Sequence, residues 1–506
     1  MQKLFKIIFL PILLFSACQK ENTMQENLKV DVFETSRSGN QLTKIDAMVP
    51  QDGDTTKIIK VQLDSTKTYQ TILGFGGSFT QASAYLLNKL SEANRNKIID
   101  AYFSDEGAKY SLTRTPMNST DFSLGQYSYA PVENDKELKH FSVHEDEDDI
   151  IPMIKDAMRA STEGFEIIAS PWTAPPWMKD NKDWVGGKLE KEFYPTWALF
   201  FSKYAEAYAS HGINIWGFTV ENEPHGNGNN WESMHYTPQE MTDFVNNYLG
   251  PELEKNNQNH LKILGYDQNR EGLKEWVDEM FDERHQPNYY DGTAIHWYES
   301  TFEVFPEALQ YAHNKAPEKH LIQTEACVDD QVPVWQEDDW YWRKEATDWG
   351  FTWAPEERKH LHPKYRPVYR YARDIIGCLN NHVEGWIDWN MILDRQGGPN
   401  WFENWCVAPI IVDPENDEVY KTPLYYVMAH FSKFIRPGAK RIDVEVEENK
   451  DLLITAATNP DNSIAVVVFN TCKKEQHFQL NIDQESINLK IGAQSLQTVI
   501  INKEDE

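Results

Sequence analysis

The chain has 506 residues, too many for one ordinary domain but enough for a large barrel with a smaller companion. Its 17 Trp and 13% aromatic residues exceed what packing alone usually recruits and point to a surface that stacks on flat rings. With 79 acidic against 49 basic side chains the formal charge is −30, which repels phosphate backbones and anionic headgroups and excludes nucleic acid as a partner.

In chain order, Lys3 and Lys6 come first, followed by an apolar run from Ile7 to Phe15 that closes on Ser16-Ala17-Cys18. This is the pattern of a signal peptide over residues 1–17, too short to span a membrane. Small residues directly before a cysteine resemble a bacterial lipoprotein processing site. The expectation is an exported lipoprotein, periplasmic or at the outer-membrane surface, whose one membrane contact is a lipid anchor at Cys18 and whose residues 18–28 form a polar tether. Residues 29–70 alternate apolar and polar side chains, most clearly in Ile59-Lys60-Val61-Gln62-Leu63-Asp64, and predict two or three β-strands.

From 71 to 437 the pattern changes to short apolar runs separated by helical segments. The predicted strands are Leu73–Phe79, Ser111–Pro116, Glu166–Ser170, Ile215–Val220, Lys262–Tyr266, Thr293–Trp297, His320–Thr324 and Gly385–Asn390. Between the third and fourth, Trp197, Phe201, Tyr204 and Tyr208 recur at helical spacing, with Pro195 in the first turn and Gly212 as the stop. Eight strands with intervening helices predict an α/β fold, a (β/α)8 TIM barrel. The acidic run His144–Asp149 reads as a solvated helix start, because it lacks the glycine and ligand spacing of a calcium loop. Residues 438–504 return to strand-like runs, at Leu452–Thr455, Ile464–Phe469, Phe478–Ile482, Ile487–Ile491 and Ser495–Asn502. Both chain ends therefore predict one shared β-sandwich beside the barrel. After processing, Cys327, Cys378, Cys406 and Cys472 remain, widely spaced and without a C-x-x-C pair, so buried thiols are expected rather than disulfides or zinc.

Barrel active sites gather at the C-terminal ends of strands. Those ends carry Arg114 and Asp121, Trp172, Asn222-Glu223-Pro224, His296-Trp297-Tyr298, Glu325 and Trp389-Asn390. Glu223 follows the fourth strand and Glu325 the seventh, so only a closed barrel brings them together. Two carboxyl groups across a barrel mouth suit glycosidic cleavage: one protonates the leaving oxygen while the other attacks the anomeric carbon, and a separation of about 5–5.5 Å implies retention. Asn222 is placed to bond a sugar 2-hydroxyl, and the charge of Glu325 favours a proton on Glu223. Taken singly, a strand-end glutamate is more often a salt-bridge partner. Arg114 is expected to pair with Asp121 while orienting a catalytic carboxylate. His296 lacks companion ligands at metal spacing, so no metal is expected. Trp335, Trp340, Tyr341, Trp342, Trp349, Phe351 and Trp353 crowd the segment after Glu325 and read as a sugar-stacking lid or as loop packing.

Ordered segments from Gly74-Phe75-Gly76-Gly77-Ser78-Phe79-Thr80 through Ala169-Ser170-Pro171-Trp172-Thr173-Ala174-Pro175, Glu221-Asn222-Glu223-Pro224, Thr324-Glu325-Ala326-Cys327 and Gly385-Trp386-Ile387-Asp388-Trp389-Asn390 to Gly397-Gly398-Pro399-Asn400-Trp401 resemble glycoside hydrolase family 30. The resemblance spans nearly the whole mature chain. It implies a barrel with a side β-domain, net retention, no cofactor, Glu223 as acid/base and Glu325 as nucleophile. It also implies a terminal-sugar subsite of Asp121, Trp172, Asn222, Trp389 and Asn404, with His296 and Tyr298 beside the carboxylates. The expected substrate is a β-glucan or β-glucoside, with a β-1,6-linked glucosyl unit preferred. Glucosylceramidase, endo-β-1,6-glucanase and β-xylosidase are the alternatives on the same chemistry, and a non-catalytic glycan-binding lipoprotein is the alternative of another class. The polar run His225–Asn230 departs from the glucosylceramidase pattern on the leaving-group side.

Overall fold

The computed structural model describes residues 28–36, 38–46, 58–226, 230–300, 303–329, 366–447 and 450–503. The leader, the tether apart from Leu28, the aromatic run Trp335–Trp353 and residues 227–229 of the polar run lie outside the described residues. Eight parallel strands close into a barrel: Gly74–Ser78, Leu112–Met117, Glu166–Pro171, Gly217–Thr219, Lys262–Asn269, Gly292–His296, His320–Glu325 and Gly385–Asn390, the last pairing back onto the first. Each of the eight predicted runs is one of these strands. The first can lie against its neighbour because Gly76 carries no Cβ, which would collide with the Leu112 carbonyl oxygen. The predicted helix spans Tyr194–Ser210 and buries Trp197, Phe201, Tyr204 and Tyr208, with Gly212 in the left-handed region after it.

The barrel interior is layered. Leu112, Ile168, Leu264, Ala294, Ile322 and Ile387, one from each of six strands, meet on the axis as a fully buried apolar plug. Side chains two positions further along a strand point the same way. Those positions hold Arg114, Ser170, His296, Thr324 and Trp389, so the next layer toward the C-terminal mouth is polar. On the fifth strand an irregularity between Tyr266 and Gln268 breaks the period, with Tyr266 at φ 74° and Asp267 at φ 62°. The additional residue turns Asp267 into the barrel.

Beside the barrel, nine strands hydrogen-bond in the order 43–45, 28–36, 495–503, 464–470, 452–458, 440–446, 58–71, 476–482, 485–491. Their inward side chains, among them Val32, Ile59, Val61, Leu63, Val466, Phe478 and Val499, form an apolar cluster of their own. The first described strand pairs antiparallel with the last, Leu28 opposite Lys503. Strand 440–446 goes beyond the predicted set, although Ile442, Val444 and Val446 alternate with charged residues in the usual way. The helix Pro423–Ser432 joins the two units: buried His430 lies between Thr498 Oγ1 at 2.8 Å and Thr35 Oγ1 at 2.9 Å, and burial lowers its pKa to about 3, so it docks as the neutral ring. No helix among the described residues is long and apolar enough to cross a membrane.

The acidic run 144–149 differs from a solvated helix start at one residue. Asp149 caps the helix Ile150–Ala160, but Asp146 is fully buried. Its carboxyl accepts the hydroxyls of Tyr129 at 2.6 Å, Tyr208 at 2.7 Å and Tyr127 at 3.3 Å, and burial pushes its pKa up to about 7. Donors supplied from elsewhere in the fold make this burial tolerable, and sequence-local reasoning has no access to them.

Candidate active site

Arg114 organises the polar layer. Its guanidinium is wholly buried and donates to Glu325 Oε2, to Asp267 Oδ2 at 2.6 Å, to Asn222 Oδ1 at 2.9 Å and, through Nε, to Ser170 Oγ at 2.9 Å. Above it lie the rings of Trp172 at 4.8 Å and Trp389 at 5.7 Å, themselves stacked with centroids 4.9 Å apart. The expected pair between Arg114 and Asp121 does not form. Strand parity turns Arg114 inward, where Asp267 and Glu325 meet it. Asp121 lies in the loop beyond the strand and accepts Asn404 Nδ2 at 3.0 Å and Asn400 Nδ2 at 3.5 Å. Burial raises the Asp121 carboxyl to about 8, the bond from Asn404 opposing and the charge of Glu325 adding to the rise.

Asp267 is the residue the sequence reading missed. It accepts from Arg114, from Thr324 Oγ1 at 2.5 Å and from His296 Nε2 at 3.0 Å. Burial alone would raise its pKa, but the charges of Arg114 and His296 and the donated bonds prevail and hold it well below the usual carboxylate range. His296 is the mirror case. Burial disfavours its charge, yet Asp267 and Glu325 outweigh that and raise it to about 9. The ring is therefore protonated at neutral pH, with both nitrogens as donors: Nε2 to Asp267 and Nδ1 to Glu223 Oε1 at 3.1 Å.

Glu223 sits at φ 50°, a left-handed conformation that costs a non-glycine residue roughly 1–3 kcal/mol. Its amide donates to Asp267 O at 3.0 Å, and the neighbouring Asn222 amide to Pro171 O at 2.7 Å. These bonds fix the turn that aims Glu223 at the mouth. Glu325, at the end of the seventh strand, accepts Tyr298 Oη on Oε1 at 2.9 Å and Arg114 on Oε2. Burial raises the Glu325 carboxyl above the usual range, while His296 and Arg114 draw it back and Glu223 adds to the rise. One oxygen of Glu223 and one of Glu325 lie within 4.8 Å of each other.

The polar layer thus gathers Glu223, Glu325, Arg114, Asn222, His296 and Tyr298, with Trp172 and Trp389 over Arg114. Asp121 and Asn404 form a separate wall held by Asn400. Near this wall, buried Glu232 accepts Ser119 Oγ at 2.7 Å and Trp401 Nε1 at 3.2 Å, while Trp401 also donates to Thr120 O. Glu232 was missed as well, because nothing at its position marks it apart from a surface polar residue, and Asn400, although inside the matching segment 397–401, was given no role.

The glycosyl hydrolase family 30 TIM-barrel domain matches residues 72–344 and 357–435, and the family's beta sandwich domain matches 438–499. The chain belongs to glycoside hydrolase family 30. It is a glycosyl hydrolase, and its substrate is a glycan. The lysosomal acid glucosylceramidase of Mus musculus is 33% identical over 88% of this chain and 83% of its own length. The endo-1,6-beta-D-glucanase of Neurospora crassa is 26% identical over 81% of each chain. The solved structure of an endo-beta1,6-glucanase superposes with a TM-score of 0.79 at 26% identity, covering 94% of this chain and 99% of that one. The predicted fold class and family stand on these matches together with the closed barrel. The two named activities differ in the leaving group, so this family 30 hydrolase is fixed in its chemistry more firmly than in its aglycone.

Proposed function

We propose that this hydrolase cleaves β-glucosidic bonds with net retention by double displacement, Glu325 attacking the anomeric carbon and Glu223 serving as acid and then base. One distance supports the reading: the two carboxylates approach within 4.8 Å, short of the roughly 6.5–9.5 Å that an inverting pair needs to admit a water. Arg114 and Tyr298 each donate to an oxygen of Glu325, which favours charge on that carboxyl and aims it. Protonated His296 holds Glu223 Oε1, leaving the other oxygen for the proton delivered to the leaving group. Once Glu325 is bonded to the sugar its charge is gone, and Glu223 takes a proton from the incoming water. Asn222 spends its carbonyl on Arg114, which leaves its amide for the sugar 2-hydroxyl. Asp121 and Asn404, with Trp172 and Trp389, form the subsite for the terminal glucosyl unit.

The preferred substrate is a β-1,6-linked glucosyl branch or chain, in line with the glucanase relatives and the polar sequence of the run 225–230, which departs from the glucosylceramidase pattern. Glucosylceramide is the second reading, favoured by the 33% identity to the mouse enzyme. Release of glucose from gentiobiose or pustulan, but not from glucosylceramide, is the expected result, and the opposite preference sinks the first reading. Product NMR should show the β-anomer before mutarotation. Glu223→Gln should lower kcat/KM for alkyl glucosides on the order of 10²–10⁴-fold while sparing kcat/KM for aryl glucosides whose leaving groups need no proton, although their kcat should fall because the second step loses its base. We also infer export with lipid anchoring at Cys18, on the strength of the leader sequence; Cys18→Ser should move the protein from the membrane to the soluble fraction.

A further inference from the structure

We propose that Cys327 and Cys406 form a reversible disulfide, a modification site that ties the strand end bearing Glu325 to the loop bearing Asn404. Their sulfurs lie 3.1 Å apart, and both side chains are buried. A disulfide bond is about 2.05 Å long, so the pair must close by about 1 Å. The backbone around them is already held: Val328–Asp329 pairs antiparallel with Cys406–Val407, Cys406 N donates to Gly397 O at 3.1 Å, and Trp297 Nε1 donates to Cys327 O at 3.2 Å. Cys378 does not compete for either sulfur, because its own contacts Arg270 at 3.2 Å and Asp374 at 3.5 Å.

The bond forms by exchange with a low-molecular-weight disulfide such as oxidised glutathione. One cysteine thiolate attacks a reagent sulfur, giving a mixed disulfide and releasing one reagent thiolate. The second cysteine thiolate then attacks the first cysteine's sulfur and releases the other. Two protein sulfurs are oxidised, two reagent sulfurs are reduced, and the two protons lost by the cysteines end on the released thiols. In an exported protein the same exchange runs with the paired cysteines of a protein disulfide oxidant in place of the reagent sulfurs, which end as two thiols on that oxidant.

The link reaches both walls of the active site. Tyr298 Oη, which donates to Glu325, lies 3.6 Å from Cys327 Sγ. Asn404, two residues before Cys406, donates to Asp121. Joining the sulfurs fixes the spacing between the Glu325 end and the Asp121–Asn404 wall.

The test uses the full chain, collected once from its export compartment under acid quench and once after equilibration across a series of oxidised-to-reduced glutathione ratios. Peptide mapping should find Cys327 joined to Cys406, with the intact mass lighter by two hydrogens, restored by dithiothreitol and unchanged in Cys406→Val. The oxidised form should resist heat inactivation longer than the reduced form, with Cys406→Val insensitive to dithiothreitol. Three results each overturn the proposal: no linked peptide in either preparation, glutathione accumulating separately on the two cysteines, or a link from either cysteine to Cys378 or Cys472. A kinetic arm rests on the glucosidase reading: reduction should raise KM for a glucoside more than it lowers kcat in wild type and leave Cys406→Val unaffected. A linked peptide with no glucoside hydrolysis counts against that reading alone.

Discussion

Two adjacent layers inside the barrel do opposite work. The plug of Leu112, Ile168, Leu264, Ala294, Ile322 and Ile387 holds no polar side chain, whereas one step up the same strands Arg114, Asp267, His296 and Glu325 pack as a buried charge network. The lower layer needs only volume and water exclusion. The upper layer survives burial because each charge meets an opposite one and a donor. The strands that make the barrel stable therefore also deliver its chemistry, one side-chain period on for Arg114 and His296 and three residues on, across a local irregularity, for Asp267 and Glu325.

Mutations can pull the two layers apart. The largest effect is expected for Glu325→Gln, which removes the proposed nucleophile: kcat should fall on the order of 10⁴-fold, about 5.5 kcal/mol of barrier. Asp267→Asn breaks the charge balance and leaves Arg114 and His296 sharing too little negative charge. Chemical denaturation should show a loss of about 3–5 kcal/mol, with activity lost as well. Leu264→Ala opens a cavity in the plug and should cost about 2–5 kcal/mol of stability, but its pH–rate profile should keep the wild-type shape. A profile that moved would show that the layers are not separable.

The smallest effect is a slope. His296 titrates in the fold at about 9 against its ordinary 6.5, so its stabilising contribution is complete below 6.5 and is lost as pH rises through 9. Asp121, raised to about 8 from 3.8, behaves alike: its contribution is complete below 3.8 and is lost as pH rises through 8. The melting temperature should therefore decline as pH rises from about 6.5 to 9, whereas below 6.5 the neutral buried His430, lowered to about 3, opposes the Asp121 slope. Asp121→Asn should flatten the part between about 4 and 8, and His296→Gln the part between about 6.5 and 9.

Periodicity carried most of this architecture. Each barrel run was read as a segment of five to seven residues between helical stretches, and the alternation in Ile59–Asp64 is the buried face of a side-sheet strand. Strand ends then led to Glu223, Glu325, Arg114 and His296. Asp267 escaped for a physical reason: counting by twos from Leu264 puts it outside the barrel, and only the irregularity after Tyr266 reverses it. Arg114 was singled out but matched to the wrong acid, because Asp121 is near in sequence while Asp267 and Glu325 are near in space. Asp146 looked solvated because its three tyrosine donors come from positions 127, 129 and 208. Local pattern reports which way a strand faces; it does not report which distant groups will answer a buried charge.

The pairing of Leu28 with Lys503 has a consequence for biogenesis. Strand 28–36 meets 43–45 on one edge early, but its other edge has no neighbour until residues 495–503 have been made, so the side sheet is completed only near the end of synthesis. Because Leu28 and Lys503 lie opposite one another, a short linker could join them and new ends be cut at an exposed barrel loop, giving a circular permutant that still closes the sheet.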